Sequence, residues 1–478
     1  MAALLVASPS QSQTPPTSVA EQLLQRYDFK DEDVGYLLFD LTTGDKLASH
    51  RPDEPRIPAS TSKLVVTSAA LQILGAAYRF ATTLLTTGAI RDGVLYGGVF
   101  LRGGGDPTLS TDDLREFVAA LQGAGVKRVV GSFAFDDSLL PTTRAINPQQ
   151  PVAVSYNPGV SALSVNYNRI FLNWQRKPNS TAFKTLVFSP ADGGPVVIDA
   201  ITAGMLPGVR DRRIKFIPDG AQLDRWLLSP ALPARGAIDL PIRNNPGRVT
   251  ALLFRTLCRQ RGIDLPVPQA AVTPSTARTL VTHYSAPLPD IITRVLRYSN
   301  NLAAELIGQV ATRRLTSHAL ALHESAATIA SWYRRTLPTT DWRGFQSLNH
   351  SGLSSQTRHS PQQLADILRY AWSTRLDGVS FSDLLSPPHW GDREERIRDV
   401  VKAKSGAMSY ADGLAGYLTA ATGRQLGFVI LLTDFARRAA LDAAFNVQLA
   451  DQPPEAQAWT DRAKAFERAL VTTWVLQY

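Results

Sequence analysis

Three short segments that lie far apart in this chain make chemical sense only if they meet in space. They are Ser60-Thr61-Ser62-Lys63, Ser299-Asn300-Asn301 and Lys404-Ser405-Gly406. The first follows a polar loop, residues 50–56, where helical pattern begins near Pro58. Residues i and i+3 of a helix share a face, so Lys63 can reach the Ser60 hydroxyl at the end of the helix where the dipole favours negative charge. A lysine activates a serine only if it is neutral. A free lysine titrates at about 10.4, so burial or a second cation has to lower it. Lys404 is the candidate cation. Ser299 is a candidate proton relay to a leaving nitrogen, and Asn301 a candidate holder of Lys63 and of a substrate carbonyl.

Each segment alone has a plainer reading. Ser-x-x-Lys is usually a solvated helix face, and Lys-Ser-Gly is usually a turn. Ser-x-Asn also occurs at Ser155-Asn157, Ser164-Asn166 and Ser347-Asn349, but only Ser299 opens an amphipathic helix, marked by Leu302, Leu306 and Val310. The ordered occurrence of all three, each on the element its role requires, favours catalysis. Lys402 and Lys404 alternate on a predicted strand and so share a face. A substrate peptide could add to that strand, with Gly406 permitting close backbone approach and Lys404 and Ser405 meeting a terminal carboxylate. The backbone N–H groups of Ser60 and Ala407 would receive the oxyanion.

The surrounding pattern predicts an α/β catalytic unit built from both ends of the chain, residues 21–81 and 282–478, around a β-rich insertion, residues 82–281. A hairpin is expected over 35–48, with a turn at Thr42-Thr43-Gly44-Asp45, then a helix over 59–74 closed by Gly75. In the insertion, strands are expected within 94–101, 129–135, 170–174, 186–188 and 196–198, with a clear helix over 111–122. Helices follow over 288–296, 302–315, 318–336 and 361–373. Strands at 397–404, 414–421 and 426–432 precede a last helix over 456–475.

Composition removes several function classes. Lys and Arg total 50 against 41 Asp and Glu, a net +9 with no dense basic block. Nucleic-acid binding therefore has no footprint, while weak peripheral attraction to a membrane or cell-wall surface is compatible with the charge. The single cysteine, Cys258, excludes an intrachain disulfide and reads as a small buried hydrophobe on a helix marked by Val249, Leu252, Leu253 and Leu257. There is no HExxH, and His323-Glu324 lacks the second histidine, so neither a metal nor another cofactor is expected. Gly103-Gly104-Gly105-Asp106-Pro107 lacks the ending of a phosphate loop and reads as a tight turn. No apolar run reaches the ~18 residues that span a bilayer. Residues 1–20, apolar and then Ser/Gln/Pro-rich, read as a disordered start or the remnant of a secretion signal.

The set Ser-x-x-Lys, Ser-x-Asn, Lys-Ser-Gly resembles that of penicillin-binding proteins and serine β-lactamases. The long interval between Ser60 and Ser299 narrows the resemblance to the class C low-molecular-mass penicillin-binding proteins. This is the D-alanyl-D-alanine carboxypeptidase/endopeptidase family of penicillin-binding protein 4, which carries inserted domains between the first two motifs. The likeness covers about 33–434. It includes Gly103-Gly104-Gly105-Asp106-Pro107-Thr108-Leu109, Ser351-Gly352-Leu353-Ser354 and Asp412-Gly413-Leu414-Ala415-Gly416-Tyr417. It implies a β-lactamase/transpeptidase-like fold, an antiparallel sheet flanked by helices, with one or two smaller inserted domains. It implies acylation of Ser60 by peptidoglycan stem peptides ending in D-Ala-D-Ala, with Lys63, Ser299, Asn301 and Lys404 as catalytic residues and Ser405, Gly406 and Ala407 as binding residues. Covalent inhibition by β-lactams and a periplasmic or cell-envelope location are implied too.

Some positions depart from the family pattern. Asn349-His350 stand where the family has Asp-Gly, Ser355 where it has arginine (with Arg358 three residues on), and Pro151 near an acidic residue of some members. These departures predict an altered grip on the peptide's side-chain end. A β-lactamase reading lacks its deacylating glutamate, since Phe345 holds that place before Leu348-Asn349. The alternative from another class is a non-catalytic cell-wall or β-lactam-binding protein on the same fold.

Overall fold

Alternation along one strand decides where the sheet sits. Val34–Asp40 is buried at every position. Tyr36 and Leu38 face one apolar core and Leu37 and Phe39 another, the period of 2 expected of a strand covered on both sides. In the computed structural model, which describes residues 19–206, 208, 214–218, 223–390, 397, 399–446 and 453–478, this strand joins the two ends of the chain. It pairs antiparallel with Lys46–His50 on one side and with Gln425–Thr433 on the other. The meander continues through Ala411–Thr419 to Val401–Met408, which is the edge of a five-stranded antiparallel sheet.

Helices cover both faces. On one, Trp459, Phe466 and Trp474 of helix Pro454–Gln477 pack with Tyr36, Leu414 and Phe428, joined by Leu23 and Leu24 of helix Val19–Arg26. On the other, Leu64, Leu306 and Leu364, from helices Ser62–Leu74, Asn301–Thr316 and Pro361–Ser373, pack with Leu37, Tyr417 and Val429. Each such side chain contributes roughly 1.5–3 kcal/mol by leaving water. The fold is therefore α/β, as expected.

Between the first and second motifs lie further sheets. Gln269–Ala270, Phe133–Asp136, Val99–Arg102, Ala81–Thr86 and Arg278–Tyr284 form a five-stranded one. Helix Thr111–Gly123 makes the crossover between its parallel strands Val99–Arg102 and Phe133–Asp136. A four-stranded sheet (Val196–Val197, Phe183–Ser189, Arg169–Arg176, Arg235–Pro241) and two three-stranded sheets accompany it. One apolar cluster runs through this region from Leu84 to Leu265 and contains Cys258, fully buried on helix Pro246–Gln260.

Several expected elements differ in detail. The strands expected over 94–101 and 129–135 are each broken, at Gly97-Gly98 and at Gly131, and their halves join different sheets. Strand Arg278–Tyr284 crosses the expected boundary at 281, because it pairs with Ala81–Thr86 on both sides of an irregularity at Leu280. The helix expected from 318 begins at Leu322, after a left-handed Ser317. The strand expected from 397 begins at Val401. Residues 1–18 of the expected disordered start lie outside the described residues, and Val19 already begins a helix.

Candidate active site

Ser60 stands in a single 3-10 turn, Ala59–Thr61, and the α-helix proper starts at Ser62. The expected helix start was thus one turn early, but the reach survives: Lys63 Nζ lies 2.8 Å from Ser60 Oγ. Ala59, before the serine, holds φ 44, a left-handed conformation that costs a residue with a Cβ about 1–3 kcal/mol. Thr61 Oγ1 donates to Pro58 O at 2.7 Å and helps pin the turn.

The lysine's partners accommodate a neutral amine. Nζ is also 2.7 Å from Asn301 Oδ1 and 2.8 Å from Ser351 O. Both of these can only accept. A neutral amine has two N–H groups for them, which leaves its lone pair facing the Ser60 hydroxyl. Electrostatics favours that state. Lys63 is fully buried, and desolvation, then the charge on Lys404, hold it well below the ordinary lysine range, with Glu305 opposing. Burial also lowers Lys404, to about 8.

Asn301 is fixed from two sides. Asn300 caps the helix by accepting from Ala303 N at 2.9 Å, which leaves Ser299 with φ 56 between two helices. The Asn301 amide donates to Tyr156 O at 2.9 Å, so its oxygen is turned to Lys63. One helical turn on, Glu305 is fully buried and accepts from His350 N at 3.0 Å and Ser351 N at 2.8 Å. Burial lifts its carboxyl above the usual range, and those bonds oppose the shift. Glu305 thereby holds the segment whose Ser351 carbonyl meets Lys63. The other Ser-x-Asn candidates are placed elsewhere: Asn157 bonds to Asn147, Asn166 to Thr111 and Ser189, and Asn349 to the backbone of Gly352 and Leu353.

The edge strand supplies the opposite wall. Ala403 N donates to Ser386 O at 3.0 Å, away from the neighbouring strand. Alternation then turns the N–H groups of Ser405 and Ala407 to the same free edge, and both residues are exposed. Gly406 also makes a close contact that the sequence did not suggest. A Cβ there would lie 2.7 Å from Pro58 O and from Ser60 N, so the close approach it permits is to the nucleophile's own turn. Lys404 is buried, and its Nζ donates to Ser405 O at 2.5 Å. Lys402 instead pairs with Asp383 at 2.9 Å in solvent. Ser60, Ser299, Asn301 and Ala407 line one cleft together with Gln149, Pro151 and Tyr156.

The departures at Asn349-His350 do not reach that cleft. Both side chains are 3% exposed. Asn349 Oδ1 accepts from Gly352 N and Leu353 N at 2.9 and 3.0 Å, a role a carboxylate would also fill. The His350 ring fills space that a Cβ on Gly308 would occupy and reaches Ser325 Oγ at 2.7 Å. Arg358 reaches back to Ser355 O at 2.6 Å. Pro151 is the departure that lines the cleft. Sequence reasoning missed Glu305, Ser351 and Tyr156. Two of these act through backbone carbonyls, and Glu305 looks like an ordinary helix-face acid.

An antiparallel sheet with a Ser-x-x-Lys turn against its edge strand defines the β-lactamase/transpeptidase-like class of active-site serine proteins. Within that class, the chain belongs to the D-Ala-D-Ala carboxypeptidase 3 (S13) family, which matches residues 17–450. A curated relative, the D-alanyl-D-alanine carboxypeptidase of Actinomadura sp. (strain R39), is 27% identical over 463 residues, covering 88% of this chain and 82% of that one. The crystal structure of penicillin binding protein 4 from Haemophilus influenzae superposes with a TM-score of 0.76 at 18% identity, covering 96% of this chain and 100% of the other. The same protein complexed with a β-lactam gives 0.73 at 18% identity, over 95% and 99% of the two chains.

Proposed function

We propose that this chain is a serine-type D-alanyl-D-alanine carboxypeptidase, with endopeptidase action on cross-links by the same chemistry, working through an acyl-enzyme on Ser60. The observation that carries the reading is the Lys63 amine, buried among two pure acceptors with its remaining valence on the serine hydroxyl. Ser60 Oγ attacks the carbonyl of the penultimate D-Ala as its proton passes to Lys63. The N–H groups of Ser60 and Ala407 receive the developing oxyanion. Ser299 carries the proton to the departing amine of the last D-Ala, whose carboxylate meets Lys404 and Ser405. Water then hydrolyses the ester by the reverse proton path. β-Lactams acylate the same serine, a reading supported by the β-lactam complex of the Haemophilus protein.

Residues 21–81 and 282–478 serve as the catalytic unit and 82–281 as the insertion. The substrate is the stem peptide of peptidoglycan, so the enzyme works outside the cytoplasmic membrane, in the periplasm or cell envelope. No helix among the described residues is long and apolar enough to cross a membrane. The test is release of D-alanine from a synthetic peptide ending in D-Ala-D-Ala. Wild type releases it, and Lys63→Met loses the activity while staying folded. Failure of folded wild type to release D-alanine would favour the binding-protein alternative.

A further inference from the structure

Both groups that accept from Lys63, Asn301 Oδ1 and Ser351 O, are held from behind by one loop of the insertion. That loop, residues 143–160, is closed at its base by an antiparallel bridge in which Thr143 and Val160 exchange N–H···O bonds of 3.0 Å. It touches the catalytic unit at two hydrogen bonds. One is the bond from Asn301 Nδ2 to Tyr156 O at 2.9 Å. The other runs from Asn147 Nδ2 to Leu353 O at 2.6 Å. Leu353 shares a short turn with Ser351, and Asn349 Oδ1 already gathers the N–H groups of Gly352 and Leu353 there.

A buried pair of asparagines joins the two contacts. Asn157, next to Tyr156, is fully buried. Its Oδ1 accepts from Asn147 N at 2.9 Å and its Nδ2 donates to Asn147 O at 2.8 Å. This two-bond ring admits only one orientation of the amide, because a flip would set donor against donor and acceptor against acceptor. Asn147 is oriented in the same way. Its Oδ1 accepts from Gln149 N at 2.9 Å, which leaves Nδ2 for Leu353. From the other side the buried Arg243 donates through Nη1 to Asn157 O at 3.3 Å. A buried polar network with its bonds made is rigid and specifies one geometry.

The consequence falls on the lysine. Asn301 offers Lys63 an acceptor only while its Nδ2 is turned away to Tyr156 O. Without that carbonyl the amide is free to flip and set its N–H groups against the amine, whose own hydrogens need acceptors if its lone pair is to face Ser60. A shift at Leu353 moves Ser351 O, the second acceptor, in the same way. We propose that Asn147 and Asn157 are positioning residues for acylation of Ser60: through one loop, the insertion aims both acceptors of Lys63 and so the lone pair that takes the serine proton. The inference rests on the acyl-enzyme reading given above. Neither asparagine lines the cleft. Ser155-Asn157, which shares the Ser-x-Asn spacing of Ser299-Asn301, thus supports that motif from behind.

The full chain is labelled with a fluorescent penicillin over a range of concentrations. Three quantities are read: the acylation rate constant at saturation, the concentration of half-saturation, and the labelled fraction at completion. Tm is measured in parallel. Asn147→Ala keeps the backbone bonds to Asn157 and loses only those to Leu353 and Gln149. It is expected to fold, to label completely, and to acylate roughly 10-fold more slowly at saturation. Asn157→Ala opens the ring and slows acylation by up to about 100-fold. If that buried substitution prevents folding, Asn147→Ala decides alone. A role confined to stability would lower Tm and the labelled fraction while the molecules that label keep the wild-type rate constant. That result, or a change confined to the half-saturation concentration, overturns the proposal. Wild type that takes up no penicillin is a separate failure, which removes the acyl-enzyme reading and this inference with it.

Discussion

Gly406→Ala probes the contact between the edge strand and the turn that carries the nucleophile. The new Cβ would lie 2.7 Å from Pro58 O, 2.7 Å from Ser60 N and 2.8 Å from Thr61 N. All three are backbone atoms, so no rotamer change relieves the clash. Comfortable heavy-atom contact is about 3.5 Å, so strand and turn must separate by ~0.7 Å. Overpacking of this kind costs about 1–3 kcal/mol of stability. The same shift moves Ser60 and its N–H relative to Ala407, and misplacement of that order costs roughly 10–100-fold in rate. Gly413→Ala, on the next strand, is the control. Its Cβ meets first the end of a flexible side chain, Leu431 Cδ2 at 2.8 Å, so its loss is expected to be several times smaller. The assay is the time course of acylation by a fluorescent penicillin, with Tm measured in parallel. Gly406→Ala acylating at the wild-type rate, or no more slowly than Gly413→Ala, would refute the reasoning.

Three further outcomes are expected. Burial lowers Lys404 to about 8, and its positive charge depresses Lys63 and, in the proposed mechanism, meets the substrate carboxylate, so acylation should fall as pH rises through about 8. A rate that stays flat well above that pH contradicts the role. Glu305→Gln keeps at most one of the two backbone bonds to the 350–351 segment, so stability should drop by about 1–3 kcal/mol and acylation should slow with it. A variant indistinguishable from wild type in both readouts removes Glu305 as the positioning group. Asp412 and Glu467 are buried together behind the edge strand. Burial lifts Asp412 to about 7, and burial and then the Asp412 charge push Glu467 well up. Carboxyls with raised folded values stabilise fully below about pH 4 and lose that contribution as pH rises through the folded value. Tm should therefore decline from about pH 4 to 7, and Asp412→Asn should remove about half of that decline, leaving the share of Glu467. An unchanged pH profile in the variant argues against the shared burial.

The parts of the fold that the sequence revealed are those with local chemistry. The hairpin turn, the Gly75 helix end and the period-2 strands of the C-terminal meander depend on neighbours within a few residues. The three motifs were legible because the proposed chemistry falls to their side chains. The Lys63 environment was only half legible. Lys404 and Asn301 could be named, but Ser351 and Tyr156 contribute carbonyl oxygens, which every residue has. Glu305 sits on a helix whose alternating polar residues suggest a solvent face, and only tertiary packing buries it. The contact of Gly406 with the nucleophile's turn was not legible for a related reason. A glycine signals close approach, not what approaches. The broken strands at Gly97-Gly98 and Gly131 show the limit from the other side. A continuous apolar run cannot reveal that its two halves serve different sheets.

The most direct test of the account is the site of penicillin attachment. Wild type and Ser60→Ala are treated with penicillin and digested, and the peptides are weighed by mass spectrometry. The account predicts a penicilloyl adduct on the peptide that contains Ser60, and none anywhere in the folded variant. An adduct on another residue, or a folded Ser60→Ala that still labels, would contradict it.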